Sequence, residues 1–278
     1  MEGYGQGMKS LEKMIGILDL FEGPEIEWTP EAMAERLELT RSTLYRYLKV
    51  LADAGLLTSL PGVGYTLGPR IAALDFHMRH SDPLITASRP VMTELVAECP
   101  GISLLCRRYR GLVLCVHQEA SAGVKFRSAY ERGSARPLLR GAASRIILAH
   151  LPAATLRKHH EAAPLDFAEA GLGKDFGSVR AHLRAIRQRG VAVTKGELAQ
   201  GVIGFGAPIF DSKGGILGSL GVTIGEAEIG PERLAFVADR VAQGARIVSK
   251  AIAREPHPVH EPVQGLKPME GLGSGARI

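Results

Sequence analysis

The stretch RSTLYRYLKVL, residues 41–51, gathers Arg41, Arg46 and Lys49 with Tyr45 and Tyr47 among leucines at helical spacing. Leu44, Tyr47, Leu48 and Leu51 recur every three or four residues and predict one buried stripe. Arg41, Ser42, Tyr45, Arg46 and Lys49 then share the opposite face. Short hydroxyls at a helix start suit phosphate oxygens, and long basic or aromatic side chains suit base edges in a major groove. Thr40, Ser42 and Thr43 fit the first task; Arg41, Tyr45, Arg46 and Lys49 fit the second. A dimerisation helix could carry the same face, but the segment after it, LLTSLPGVGYTLGPR, favours DNA. It reads as a hairpin with Gly62 at its tip and Arg70 just beyond, a wing beside the helix.

A second stretch, GVIGFGAPIFDSKGGILGSLGV at residues 201–222, is two β runs joined by an Asp-Ser-Lys-Gly-Gly turn. Gly201, Gly204 and Gly206 are spaced like part of a nucleotide loop, yet they lie inside a strand and no helix follows, so that reading fails. Tight strand packing and the wall of a pocket both remain open. Arg140, beside Gly141 in RPLLRGAASR, has the chemistry to clamp a carboxylate with two parallel hydrogen bonds, and equally that of a surface arginine. Tyr130, Phe126 and Phe205 offer ring faces to an aromatic ligand or to a plain core.

Catalysis and metals find little support in the residue patterns. Ser219 follows Leu217-Gly218 rather than a GxSxG elbow, and neither HExxH nor a P-loop occurs. His77, His80 and the pair His159-His160 have no Cys or carboxylate at ligand spacing, so no metal and no cofactor is expected. Cys99, Cys106 and Cys115 have no CxxC spacing and apolar neighbours, and should be buried, reduced thiols.

The elements that must position these residues follow from periodicity. Leu11, Met14, Ile15, Leu18 and Phe21 predict the buried face of a first helix over 9–21. Thr29 as N-cap, with Pro30 behind it, opens a second that buries Met33, Ala34 and Leu37. The basic helix is the third, and with the hairpin it completes a winged helix-turn-helix over 8–68. Residues 69–82 read as a linker helix. From 83 to 253 a helix ending near Cys99 leads into β runs at 102–108, 112–119 and 124–130. Helices at 141–151 and 174–189, strands at 191–194, 201–210 and 216–224, and a last helix over 231–253 complete an α+β domain with an antiparallel sheet. Residues 254–278 are rich in Pro and Gly, lack an apolar face, and read as a disordered tail.

Charge supports this division. The whole chain has a formal net charge of +5, but residues 1–80 hold 8 basic and 11 acidic side chains against 26 and 18 in the remainder. Within the first part, residues 40–70 carry Arg41, Arg46, Lys49 and Arg70 against Asp53 alone. A local basic patch thus sits on an acidic domain, which is what sequence-directed contact with DNA needs. No apolar run is long enough for a membrane span, and MEGYGQGMKSLEK has no signal-peptide pattern, so a cytoplasmic protein is expected.

LELTRSTLYRYLKVLADAGLL, the wing GVGYTLGPR, and KGELAQGVIGFGAPIFDSKGGILGSLGV together resemble the IclR family of bacterial transcriptional regulators, in order over residues 8–253. The resemblance implies ligand-responsive control of transcription by a homodimer or homotetramer on a double-stranded DNA operator. It also implies a GAF-like effector-binding domain for a small organic acid. Carried onto this chain, the family's effector positions are Gly141, Ala142, Ala143, Thr194, Gly204, Gly221 and Thr223, which join Tyr130, Arg140 and Phe205. Gly204 stands where a cysteine is frequent, Gly221 where a serine is, and Leu139-Arg140-Gly141 where a His-Ala-Thr type sequence is. The smaller residues lead us to expect room for an acid bulkier than two or three carbons, such as an aromatic one. The alternative is a small-molecule-binding protein with residual enzymatic activity in its C-terminal domain; a DNA-independent interaction module and a regulator that ignores small molecules also remain.

Overall fold

The computed structural model describes residues 10–126 and 130–254, and the chain divides after Thr86 into two compact units. The first begins with α1 (Ser10–Asp19), prolonged by one 3₁₀ turn, then α2 (Pro30–Arg36) and α3 (Arg41–Asp53). Both later helices start on threonine caps: Thr29 Oγ1 accepts from the Ala32 N–H and Thr40 Oγ1 from the Thr43 N–H. A hydroxyl in that place satisfies one of the backbone donors that a helix start leaves free. β1 (Leu57–Leu60) and β2 (Gly64–Leu67) pair antiparallel as the wing. Trp28 and Tyr65 exchange two backbone hydrogen bonds of 3.1 and 2.8 Å, which ties the wing to the segment ahead of α2. α4 (Pro69–Ser81) follows and has no buried residue.

The core of this unit is Ile17, Met33, Leu37, Leu44, Tyr47, Leu48, Leu51 and Leu57. The stripe expected on α3 is therefore buried as a whole. On α1 the expectation needs correction: Leu11 and Ile15 are 71% and 44% exposed, and Ile17 is the residue at 0%. Met14, Leu18 and Phe21 pack beside Ile17, so the buried face is turned by part of a helical step. The helix has apolar residues on three sides, and spacing alone does not choose between two overlapping stripes.

α5 (Pro83–Glu98) carries the chain over the boundary, with Asp82 Oδ1 accepting from the Leu84 N–H at 2.8 Å. The second unit is built on one six-stranded antiparallel sheet, ordered β5-β4-β3-β8-β7-β6. Its strands are β3 (Ile102–Tyr109), β4 (Leu112–Ala120), β5 (Ala135–Pro137), β6 (Ala192–Lys195), β7 (Val202–Phe210) and β8 (Ile216–Gly225). Ile102, Leu104 and Cys106 alternate onto one face, where α6 (Ala142–Ala149) and α9 (Phe176–Arg189) cover them. On the other face Leu220 of β8 meets Gly244 of α10 (Pro231–Arg254), which also meets Val91 of α5.

One more expectation differs from the fold, and one unassigned segment is helical. The strand expected at 124–130 does not form over Val124–Phe126, residues 127–129 lie outside the described residues, and the edge strand is instead β5. The polar segment around His159-His160 is helical, as α7 (Ala153–Ala162), and α8 (Pro164–Glu169) follows it. Leu156 and Phe167 alone anchor these two helices in the core, too few apolar positions to give a legible period. Residue 254, expected to open a tail, is the last residue of the helix Pro231–Arg254, and residues 255–278 lie outside the described residues. No helix among the described residues is long and apolar enough to cross a membrane.

Candidate functional site

Two surfaces carry the residues singled out by sequence. The first is the outward face of α3. Arg41, Ser42, Tyr45, Arg46 and Lys49 are all exposed there, Tyr45 at 48%, and the Arg46 guanidinium lies 5.4 Å from the centroid of the Tyr47 ring. Thr40 is also exposed, but its hydroxyl is engaged in the cap and donates to Thr43 Oγ1 at 2.9 Å. Gly62 turns the wing tip with φ +76° and open space around it, so it needs a left-handed conformation but not a close approach. Arg70 departs from expectation. Its Nη1 donates to Ala54 O at 3.2 Å, at the C-terminal end of α3 and away from the Arg41–Arg46 end. There it caps a helix terminus that lacks donors of its own, a role the sequence order does not reveal.

The second surface is a cavity of about 40 Å³ in the other unit, at the start of α6. Gly141, Ala142 and Ala143 bring the helix start to it, β6 contributes Thr194, β7 contributes Gly204 and Phe205, and β8 contributes Gly221 and Thr223. Tyr130 closes it from the loop ahead of β5. Nine of the ten effector positions thus converge. Arg140 does not; it is exposed and lines no part of the cavity. The guanidinium at the helix start belongs instead to Arg145, one turn into α6, whose side chain is only 13% exposed. Arg145 Nη2 donates to Ala170 O at 2.7 Å and lies 3.0 Å from Glu197 Oε1.

The glycines of the two strands act in different ways. A Cβ on Gly206 would come within 2.8 Å of Ala142 O, so α6 can seat on β7 only over a glycine. A Cβ on Gly221 would come within 2.3 Å of Phe205 O, so this glycine serves strand packing rather than ligand room. At Gly204 the nearest atoms would be Thr194 Oγ1 at 3.2 Å and Ala142 Cβ at 3.6 Å, and a side chain is nearly accommodated. The expected space for an aromatic ring is not present: a ring needs a cavity of roughly 150 Å³, and 40 Å³ holds a molecule of only a few heavy atoms. Leu198, in the loop between β6 and β7, takes up the space over Gly141. Glu197 and Leu198 went unassigned from sequence, although KGELAQG sets a lone acid between two glycines.

Polar groups of the cavity are mostly spoken for. Ser144 Oγ donates to Pro137 O at 3.0 Å, which leaves it to accept from the Tyr130 phenol at 2.9 Å. Burial holds that phenol well above its ordinary pKa, so it stays a neutral donor. Cys106 and Cys115 face each other across β3 and β4 as free thiols; the hydrogen bond that Cys106 gives to Cys115, together with burial, pushes the Cys106 thiol up. Among the described residues no three of His, Cys, Asp or Glu converge to hold a metal ion.

Two family profiles cover the chain: one described as the IclR helix-turn-helix domain matches residues 10–61, and one described as the bacterial transcriptional regulator IclR C-terminal domain matches 76–250. The HTH-type transcriptional regulator KipR of Bacillus subtilis is 26% identical over 88% of this chain and 97% of its own length. An IclR transcriptional regulator from Alicyclobacillus acidocaldarius has the same fold, with a TM-score of 0.74, 21% identity and coverage of 88% and 99% of the two chains. So does an IclR homologue from Microbacterium hydrocarbonoxydans, solved as a complex with 4-hydroxybenzoate, with a TM-score of 0.70, 17% identity and coverage of 88% and 99%. With both profiles matching in order over nearly all the described residues, the chain belongs to the IclR family of DNA-binding transcriptional regulators.

Proposed function

We propose that this regulator binds its operator through the outward face of α3 and the wing, as a homodimer or homotetramer, and that a small organic acid bound at the start of α6 alters that binding. Arg41, Tyr45, Arg46 and Lys49 supply base contacts, Ser42 supplies a phosphate contact, and paired units would read half-sites about one helical turn apart or a multiple of it. One observation carries the effector reading. The cavity is walled by small or apolar residues, and the carboxylate of Glu197 in that wall is held by the Gly141 N–H and, from behind the wall, by the Arg145 guanidinium. A backbone donor at a helix start beside a guanidinium favours a carboxylate, and the apolar walls favour an uncharged body behind it. The Microbacterium hydrocarbonoxydans relative binds 4-hydroxybenzoate, which makes that acid and the smaller pyruvate the first two to test.

The operator is obtained by selecting from a randomised duplex pool with the full-length chain. Its affinity is then measured by gel shift at several salt concentrations, with and without each acid. Affinity is expected to fall as salt rises, since phosphate contacts release counterions, and to change with at least one acid. A salt-insensitive shift would count against the DNA face. Unchanged operator affinity together with an unchanged melting temperature in every acid would count against the effector reading.

A further inference from the structure

The cavity is small because the chain fills it. Residues 196–201 join β6 to β7, entering on Gly196 (φ +65°) and leaving on Gly201 (φ +72°). Between them the loop delivers two side chains to the start of α6. Glu197 Oε2 accepts from the Gly141 N–H at 3.0 Å, while Oε1 lies 3.0 Å from Arg145 Nη2. Leu198 covers Gly141 so closely that a Cβ there would stand 2.5 Å from Leu198 Cδ1. The Gly141 backbone, at φ +85°, is open to this approach only as glycine. A carboxylate on a helix-start N–H and a guanidinium, followed by an aliphatic group against apolar walls, is the layout that an organic acid would take in this cavity. Here both parts come from the protein itself.

We propose that Glu197 and Leu198 are a tethered stand-in for the effector, and that an entering carboxylic acid binds by displacing them from Gly141 and Arg145. The proposal rests on reading the cavity as the effector site. It makes observed affinity a difference: the free acid gains the seat only after the tethered carboxylate, held at high effective concentration by its short loop, gives it up. Selectivity follows from the same exchange. An amide or ester of the same shape cannot replace the departing charge, and would leave the largely buried Arg145 without its anion. Size follows as well, because an aromatic acid needs the space held by Leu198 whereas pyruvate needs chiefly that held by Glu197.

Titration calorimetry with pyruvate and 4-hydroxybenzoate tests this on full-length wild type, Glu197→Gln, Leu198→Gly and Gly204→Leu, each checked for folding by circular dichroism. Gly204→Leu adds bulk at a lining position where the nearest atoms to a Cβ are the Thr194 and Ala142 side chains rather than backbone. At least one acid is expected to bind roughly ten- to hundredfold more tightly to Glu197→Gln, the loss of a charged hydrogen bond from the competitor. Leu198→Gly should favour 4-hydroxybenzoate over pyruvate, and Gly204→Leu should abolish binding. Equal or weaker binding to Glu197→Gln, with binding still lost in Gly204→Leu, would overturn the stand-in and leave the site in place. Binding that survives Gly204→Leu would overturn the site and the stand-in together. No binding of either acid to Glu197→Gln or Leu198→Gly would overturn the stand-in, because the vacated guanidinium must accept a carboxylate.

Discussion

Gly206 decides how closely α6 can lie on the sheet, and through that where the helix start and its N–H groups stand. Replacing it with alanine puts a methyl group against the Ala142 carbonyl, so α6 must shift. Overpacking of this kind costs about 1–3 kcal/mol. Gly206→Ala should therefore lower the melting temperature of the second unit, by about 2–4 °C for each kcal/mol, and weaken acid binding at the same time. Calorimetric unfolding together with acid titration checks both. At this scale the sequence is informative about position and poor about reason. Gly204, Gly206 and Gly221 look alike as letters, yet of these three only Gly204 leaves room, because the other two depend on which carbonyl lies opposite across the sheet or under the helix. Arg140 and Arg145 show the same limit: both flank the α6 start in sequence, but a helix of 3.6 residues per turn carries Arg145 inward beside Glu197 and leaves Arg140 in solvent.

α3 is the element whose sequence states its role most openly. Four buried residues hold it against Ile17 and Met33, the Thr40 cap fixes its first turn, and the opposite face stays exposed. Because Arg46 contributes to that face and not to the core, Arg46→Ala should leave thermal stability within about 0.5 kcal/mol of wild type. It should weaken selected-operator binding by about 1–3 kcal/mol, with reduced discrimination at one base position. Arg184→Ala on α9 is the matching control and should leave operator affinity unchanged; gel shifts on operator and scrambled duplexes separate the two. α3, the wing, the sheet strands from β6 to β8 and α10 were legible because each carries a long regular pattern or a strong punctuation. α7 and α8 were not, since one buried residue apiece, Leu156 and Phe167, sets no period. The edge strand β5 is three residues long and offers less still.

Over the whole molecule, the two units carry separate reporters. The single tryptophan, Trp28, belongs to the first unit, whereas His150, His159 and His182 all belong to the second. Burial holds each of these three imidazoles below its ordinary pKa, with Arg187 adding to the effect at His150, Arg108 at His159, and Arg145 and Arg189 at His182. A depressed histidine pKa means that the unfolded chain takes up protons first. The stability these neutral rings contribute is therefore present above about pH 6.5 and is lost as pH falls through the folded-state values. Unfolding followed by circular dichroism should show a transition for the second unit that moves to lower temperature between pH 7 and pH 5, and less so in His150→Phe, where the ring contact with Phe210 can persist. Trp28 fluorescence follows the first unit independently, and the two signals need not coincide in a chain of two units.

The glycines around α6 also bear on how such a regulator could change over generations. Gly206 and Gly221 are locked by neighbouring backbone atoms, and Gly141 by its left-handed conformation and the leucine above it. Gly204 is the one of the four whose missing side chain would meet only the tips of two others. Among these glycines, drift in what the cavity accepts is thus channelled through a single strand position, beside the six-residue loop 196–201, so descendants with new ligand preferences should differ there before they differ at the other three.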